Sequence, residues 1–197
     1  MRTVEDIKLE LLSNPIVTDK WADAASKLLF ENGDKLVGRD IYLYDADQLN
    51  AINKALRNMQ DNENIDIELF FNPEINSTKL EMTLGAYDAN IPSCVIKEVI
   101  TPDIPFIKAN CVFSAWNEFD MRRHINEGYT VDQMIEIFSS FKSGIDTSLI
   151  DDKNIPAKIM RLMRLAIEDG CDVSYDDGKL VIFSSFKDGD EVRSEVE

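Results

Sequence analysis

The 197-residue chain carries one histidine, His124, directly after Arg122 and Arg123, and three cysteines, Cys94, Cys111 and Cys171. A single imidazole cannot form a pair of histidine ligands, and no serine or cysteine stands in a nucleophile motif that would give His124 a base to act as. It reads as a packing or surface histidine. An odd number of cysteines at wide spacings fits neither a disulfide framework nor a two-by-two zinc pattern, so reduced thiols are expected. Carboxylates are plentiful, and two groups invite a metal reading. Asp61, Glu63 and Asp66 form a short acidic run without a recurring partner. Asp172, Ser174 and Asp176 copy the start of a calcium loop, but the glycine comes one residue late, at Gly178, and the twelfth position is Phe183 where a glutamate is needed. With no phosphate-cradling glycine loop and no dinucleotide fingerprint either, the sequence predicts no catalytic residue, no cofactor and no metal.

What the side chains do offer is contact chemistry. The aromatic residues fall mostly at helix-stripe or turn positions, where core packing accounts for them. Phe70 with Phe71 is a doubling that one buried face does not require, so one of the two is expected to stand as an exposed partner anchor. Ser139 with Ser140, beside Phe141, is doubled in the same way. Arg122 and Arg123 are the only adjacent basic pair, and they either bind a partner or neutralise neighbouring acidic segments. These four residues, Phe70, Phe71, Arg122 and Arg123, are the candidate partner-binding set.

The charge narrows the partner. Thirty-seven acidic residues against 21 basic ones give a formal net charge of -16. Such a surface repels nucleic-acid phosphates and steers basic proteins in, which disfavours direct nucleic-acid binding. Solubility alone explains an acidic surface. The sharper alternative is an acidic face shaped for a basic, nucleic-acid-binding groove on another protein. No apolar run reaches the roughly 18 residues of a membrane span, and Glu5 and Asp6 break the basic flank a signal peptide needs. No membrane association and a cytoplasmic location are expected.

The elements that must position these residues repeat. Met134, Ile137, Phe141, Gly144, Ile145, Asp146, Ser148 and Leu149 are answered 26 residues on by Met160, Met163, Ile167, Gly170, Cys171, Asp172, Ser174 and Tyr175. The apolar residue after the turn recurs further back, at Ile65, Ile91, Phe119, Ile145 and Cys171, at intervals of 26, 28, 26 and 26. Each unit reads as a helix of about three turns, a tight turn and a short second segment. Gly144, Gly170 and Asn90 supply the left-handed residue that ends a helix, Pro92 sets up the next, Asp146 and Asp172 are placed to cap the short second segment, and Asp66 and Asp120 stand at the same place ahead of an apolar pair. Ahead of the repeats, Thr3 and Asp6 form an acidic capping box for one helix. Thr18 caps a second, with Trp21, Ala24, Ala25, Leu28 and Leu29 on one face and Asn32–Gly33 as its stop. Leu36 to Tyr44 reads as a short strand or extended connector. Near the end, Asp177–Gly178 between Val173, Tyr175 and Leu180 to Phe183 signals a type I′ hairpin, and the polar chain beyond Lys187 is expected to fray.

The pair from Val131 to Leu149 and from Ala157 to Tyr175 resembles a tandem repeat of uncharacterised proteins from gut-dwelling Gram-positive bacteria and their mobile elements. Its unit runs Gln-Met-x-x-Ile-x-x-Gly-Leu-x-x-Gly-Leu-Asp-Val-Ser-x-Tyr-Ala. Gln133, Met134, Ile137, Gly144, Ile145, Asp146 and Ser148 match in one copy, and Met160, Gly170, Asp172, Val173 and Ser174 in the other; Ser140 replaces the first glycine. The resemblance implies a helical repeat of bacterial or mobile-element origin and no particular activity.

The expected architecture is therefore mainly α. Residues 1–44 form an N-terminal helical cap and connector, residues 45–175 an α-solenoid-like stack of about five units of ~26 residues, and residues 176–197 a hairpin strand and acidic tail. The expected function is a non-enzymatic protein-protein interaction module. The alternative is an acidic nucleic-acid mimic that inhibits a DNA-handling or host-defence enzyme.

Overall fold

Thr3 and Asp6 open the first helix as their spacing predicts. The Thr3 hydroxyl accepts from the Asp6 N–H while the Asp6 carboxylate accepts from the Thr3 N–H, a reciprocal box that starts α1 (Val4–Leu12). The structure is a computed structural model and describes residues 2–185 and 191–196. It is mainly helical. Six longer helices, α2 (Asp19–Asn32), α3 (Ala46–Asn58), α5 (Ser77–Asp88), α7 (Phe106–Ala115), α9 (Val131–Lys142) and α10 (Ala157–Glu168), alternate with short segments. The short segments are a pair of 3-10 turns (Gly33–Leu36 and Ile41–Leu43), α4 (Ile67–Phe70), α6 (Ser93–Val99), α8 (Arg122–Asn126) and a 3-10 turn at Thr147–Leu149.

Local chemistry explains the alternation. Thr18, Asp45, Asn76 and Thr130 each accept from a backbone N–H in the first turn of the long helix they precede. At the other end Asn90, Gly144 and Gly170 take φ of 59°, 74° and 80°. The next N–H, on Ile91, Ile145 or Cys171, then reaches back to the carbonyl of Ala86, Ser140 or Ala166 at 2.9 to 3.0 Å. Asp146, two residues past Gly144, accepts from the Ser148 N–H and starts the short segment, and Asp66 and Asp120 do the same for Glu68 and Arg122.

Three expectations change. Leu36 to Tyr44 forms no strand: the Asp40 carboxylate accepts from the Tyr42 N–H and winds the connector into a 3-10 turn, so α2 and its connector have the same layout as the later units. Asp172 caps no helix but begins β1 (Asp172–Asp176). Asp177 and Gly178, with φ of 47° and 80°, turn the chain back into β2 (Lys179–Ser185) in the register Asp172↔Phe183 to Asp176↔Lys179. The hairpin itself is as expected. Beyond it the chain does not simply fray, since β3 (Glu191–Val196) pairs antiparallel with β2. Residues 186–190 and 197 of the expected tail lie outside the described residues.

The chain divides into two compact units, Met1–Phe106 and Ile107–Glu197. In the first, α2 packs on α1 and α3, and α3 on α4 and α5, around Leu28, Leu49, Ile52, Phe70, Leu80 and Tyr87. In the second, α9 packs on α10, and α10 on β1 and β2, with Met134, Ile137, Met160, Met163 and Leu180 buried.

One bond type recurs through both units. The third residue of a long helix sends a side-chain N–H to a backbone carbonyl in the loop just before the next long helix. In the first unit Trp21 Nε1 donates to Tyr44 O (2.9 Å), Gln48 Nε2 to Pro73 O and Ile75 O (3.0 and 2.8 Å), and Lys79 Nζ to Thr101 O and Pro102 O (2.6 and 3.0 Å). In the second, Lys108 Nζ donates to Tyr129 O and Gln133 Nε2 to Lys153 O and Ile155 O, both at 2.8 Å. Three different side chains thus satisfy loop carbonyls that the next helix leaves unpaired.

Candidate functional site

The four residues singled out from the sequence are engaged inside their own units. Phe70 is fully buried against Tyr87, and Phe71, only 9% exposed, lies under the Arg39 guanidinium and edge-on to Tyr44. The Phe71 carbonyl also accepts from the Tyr44 hydroxyl at 2.8 Å. Neither phenylalanine is thus an exposed anchor. Helix α4 is a single turn, so both of its terminal aromatic side chains are needed to seat it.

Arg122 donates from Nε and Nη2 to Asp120 at 2.9 and 2.6 Å and lies over the Trp116 ring. That pairing holds the Asp120 carboxyl down to about 2. Arg123 pairs with Asp151. His124 is fully buried, with Nε2 2.9 Å from Asp151 Oδ1 and Nδ1 3.2 Å from the Met121 carbonyl. Tyr129 stands edge-on to the imidazole and donates from its hydroxyl to the Asp151 carbonyl. Burial, and then the Asp151 charge, pushes the Tyr129 phenol up to about 12. Arg123, His124, Tyr129 and Asp151 tie α8 to the loop ahead of α10, while Trp116, Asp120 and Arg122, with Asn117 and Phe119, line an open groove of about 270 Å³.

The carboxylates are spread along both units. Lys20–Asp47, Glu31–Arg57, Arg39–Glu68, Lys54–Glu81 and Asp66–Lys97 join neighbouring segments of the first unit. Arg123–Asp151 and Glu136–Arg164 do so in the second. Asp172, Ser174 and Asp176 alternate along one exposed face of β1, in line and not convergent. Among the described residues no three His, Cys, Asp or Glu side chains gather as metal ligands would.

Open surface of another character lies in the first unit. Trp21 and Tyr42 stack with ring centres 5.0 Å apart and planes 13° from parallel. With Ile16, Val17, Thr18 and Tyr44 they line a groove of about 300 Å³. Ile16 is 81% exposed, Tyr42 57% and Leu43 60%. Most of the polar handles are already used: Trp21 Nε1 donates to Tyr44 O, the Tyr44 hydroxyl to Phe71 O, and Thr18 Oγ1 accepts from Trp21 N. What the groove presents is therefore mainly apolar, with the hydroxyl of the exposed Tyr42 at its edge. Sequence reasoning missed it because Tyr42 and Leu43 read as a strand. The available signal was two apolar runs, Ile16–Val17 and Ile41–Tyr44, in connectors that no helical period places in a core. A second, mixed-charge groove between α9 and α10, lined by Asp132, Ile135, Glu136, Ala157, Lys158 and Arg161, is of similar size, about 270 Å³.

No family model, curated protein or solved structure matches the chain. No helix among the described residues is long and apolar enough to cross a membrane.

Proposed function

We propose that the chain is a non-enzymatic protein-binding module made of helical repeats that stack on their sequence neighbours within each unit, and that the Trp21–Tyr42 groove with exposed Ile16 and Leu43 is its anchor surface. The observation that carries this reading is a preformed aromatic stack, braced by the Trp21 Nε1 bond to Tyr44 O, with the Tyr42 ring and its apolar neighbours open to solvent. Trp and Tyr on a rigid support lose little conformational entropy on contact and dominate binding where they occur. The recurring third-position donors and the ion pairs between neighbouring segments favour a repeat scaffold.

The same ion pairs weigh against the nucleic-acid-mimic alternative. A mimic sets its carboxylates along one stripe, whereas Asp47, Glu68, Glu81, Asp66, Glu136 and Asp151 are engaged in links between neighbouring segments within each unit. The test is affinity capture from the native host with the wild-type chain and with a Tyr42→Ala/Leu43→Ser variant. Both positions are exposed, so the variant should fold as the wild type does and lose the captured protein. Recovery of the same protein by the variant would remove the groove from the binding surface.

A further inference from the structure

Strand β1 lies at the edge of a sheet of order β1-β2-β3. Its hairpin register determines which backbone groups look outward. In a two-residue type I′ hairpin the pair flanking the loop is the one that exchanges both hydrogen bonds. That pair is Asp176↔Lys179, and Ser174↔Val181 and Asp172↔Phe183 follow in the same phase. The N–H and C=O groups of Val173 and Tyr175 therefore point away from β2, and among the described residues no other backbone group bonds them. An incoming strand would find two donor–acceptor pairs in line. Side chains sort it further. Asp172, Ser174 and Asp176 are exposed on one face, and Val173 and Tyr175 are half-buried on the other.

The charges choose the occupant. A second copy pairing antiparallel over the whole strand must centre on Ser174. That register sets Asp172 opposite the other copy's Asp176 twice over, and like charges directly opposite one another oppose pairing. The same two carboxylates favour a strand with basic residues at its first and fifth positions and apolar residues at its second and fourth. We propose that the outer edge of β1 takes up an extended basic segment of a partner protein by antiparallel strand addition. The inference rests on the protein-binding reading but uses a surface of the second unit, independent of the aromatic groove.

The test uses the full chain and two synthetic peptides, one carrying Lys-Val-Thr-Val-Lys and the other Glu-Val-Thr-Val-Glu, with binding followed by amide NMR. The expected result is slowed exchange at the Val173 and Tyr175 amides with the basic peptide, and a preference over the acidic one of about tenfold at low salt. Val173→Pro removes an outward N–H, which an edge strand tolerates. It should abolish binding while the Val181 amide, which faces β1, stays slow to exchange. Should that variant lose the hairpin, Asp172→Lys/Asp176→Lys is expected to reverse the peptide preference. Equal binding of the two peptides, no binding, or shifts spread over acidic positions with Val173 and Tyr175 unprotected would each overturn the proposal. The Tyr42→Ala/Leu43→Ser variant should bind the basic peptide as the wild type does, so failure of the groove and failure of the strand edge are read separately.

Discussion

Ser140 is fully buried, and its Oγ has no hydrogen-bond partner. A buried hydroxyl without a partner costs about 1 to 3 kcal/mol of desolvation. Ser140→Ala is expected to stabilise the chain by about 1 kcal/mol in urea denaturation, and a loss of stability would mean that the hydroxyl is bonded after all. Acid titration isolates another residue. Asp120 has its carboxyl held down to about 2 by the Arg122 hydrogen bonds. Its contribution is therefore present above the ordinary carboxylate pKa of about 4 and is lost as pH falls towards 2, because the unfolded chain takes up the proton first. Asp120→Asn should flatten that part of the stability profile, by a small amount given how exposed the pair is. A profile unchanged below pH 4 would count against the pairing.

At the scale of elements, the donor at the third position of a long helix bonds the loop that follows it within the same unit. Gln133 is the cleanest case, since its Nε2 serves two carbonyls, the part-buried Lys153 O and the buried Ile155 O, while its Oε1 accepts from the Thr130 N–H. Gln133→Ala should cost about 2 to 3 kcal/mol, because three backbone groups lose their partner at once. Hydrogen exchange should show α9 and α10 opening at lower free energy, and an effect confined to α9 would refute the joining role. Much of this level was legible in the sequence. The capping box at Thr3, the cap at Thr18, the left-handed turns at Asn90, Gly144 and Gly170, and the type I′ hairpin all follow from residue types a few positions apart. The third-position donors were not legible. Their acceptors are main-chain carbonyls, which carry no residue signature, and Trp, Gln and Lys share only an N–H. Nor was the burial of Phe71, which depends on Tyr44, 27 residues earlier. The connector from Leu36 to Tyr44 was misread because apolar residues in an exposed turn and in a strand look the same over so short a stretch.

For the whole molecule the question is what a net charge of -16 does. If the anchor is the aromatic groove, affinity rests on apolar contact. Raising salt severalfold should then change the captured partner's affinity by no more than a few-fold, because screening acts on charges and leaves buried apolar area as it is. A steep fall with salt would restore the basic-groove alternative. Isothermal titration at two ionic strengths decides it.

The third-position donors also give the chain a direction in time. Every donor precedes its acceptor, Trp21 before Tyr44, Gln48 before Pro73, Lys79 before Thr101, Lys108 before Tyr129 and Gln133 before Lys153, by between 20 and 25 residues. A nascent chain leaving the ribosome amino end first thus presents each helix with its bonding groups unmet, and completes it as soon as the following loop emerges. No link of this kind has to wait for a distant part of the protein, so assembly can keep pace with synthesis. The series stops where α10 has Ile159 at the third position, an apolar residue with no N–H to hand on, and the chain closes that helix with a sheet instead.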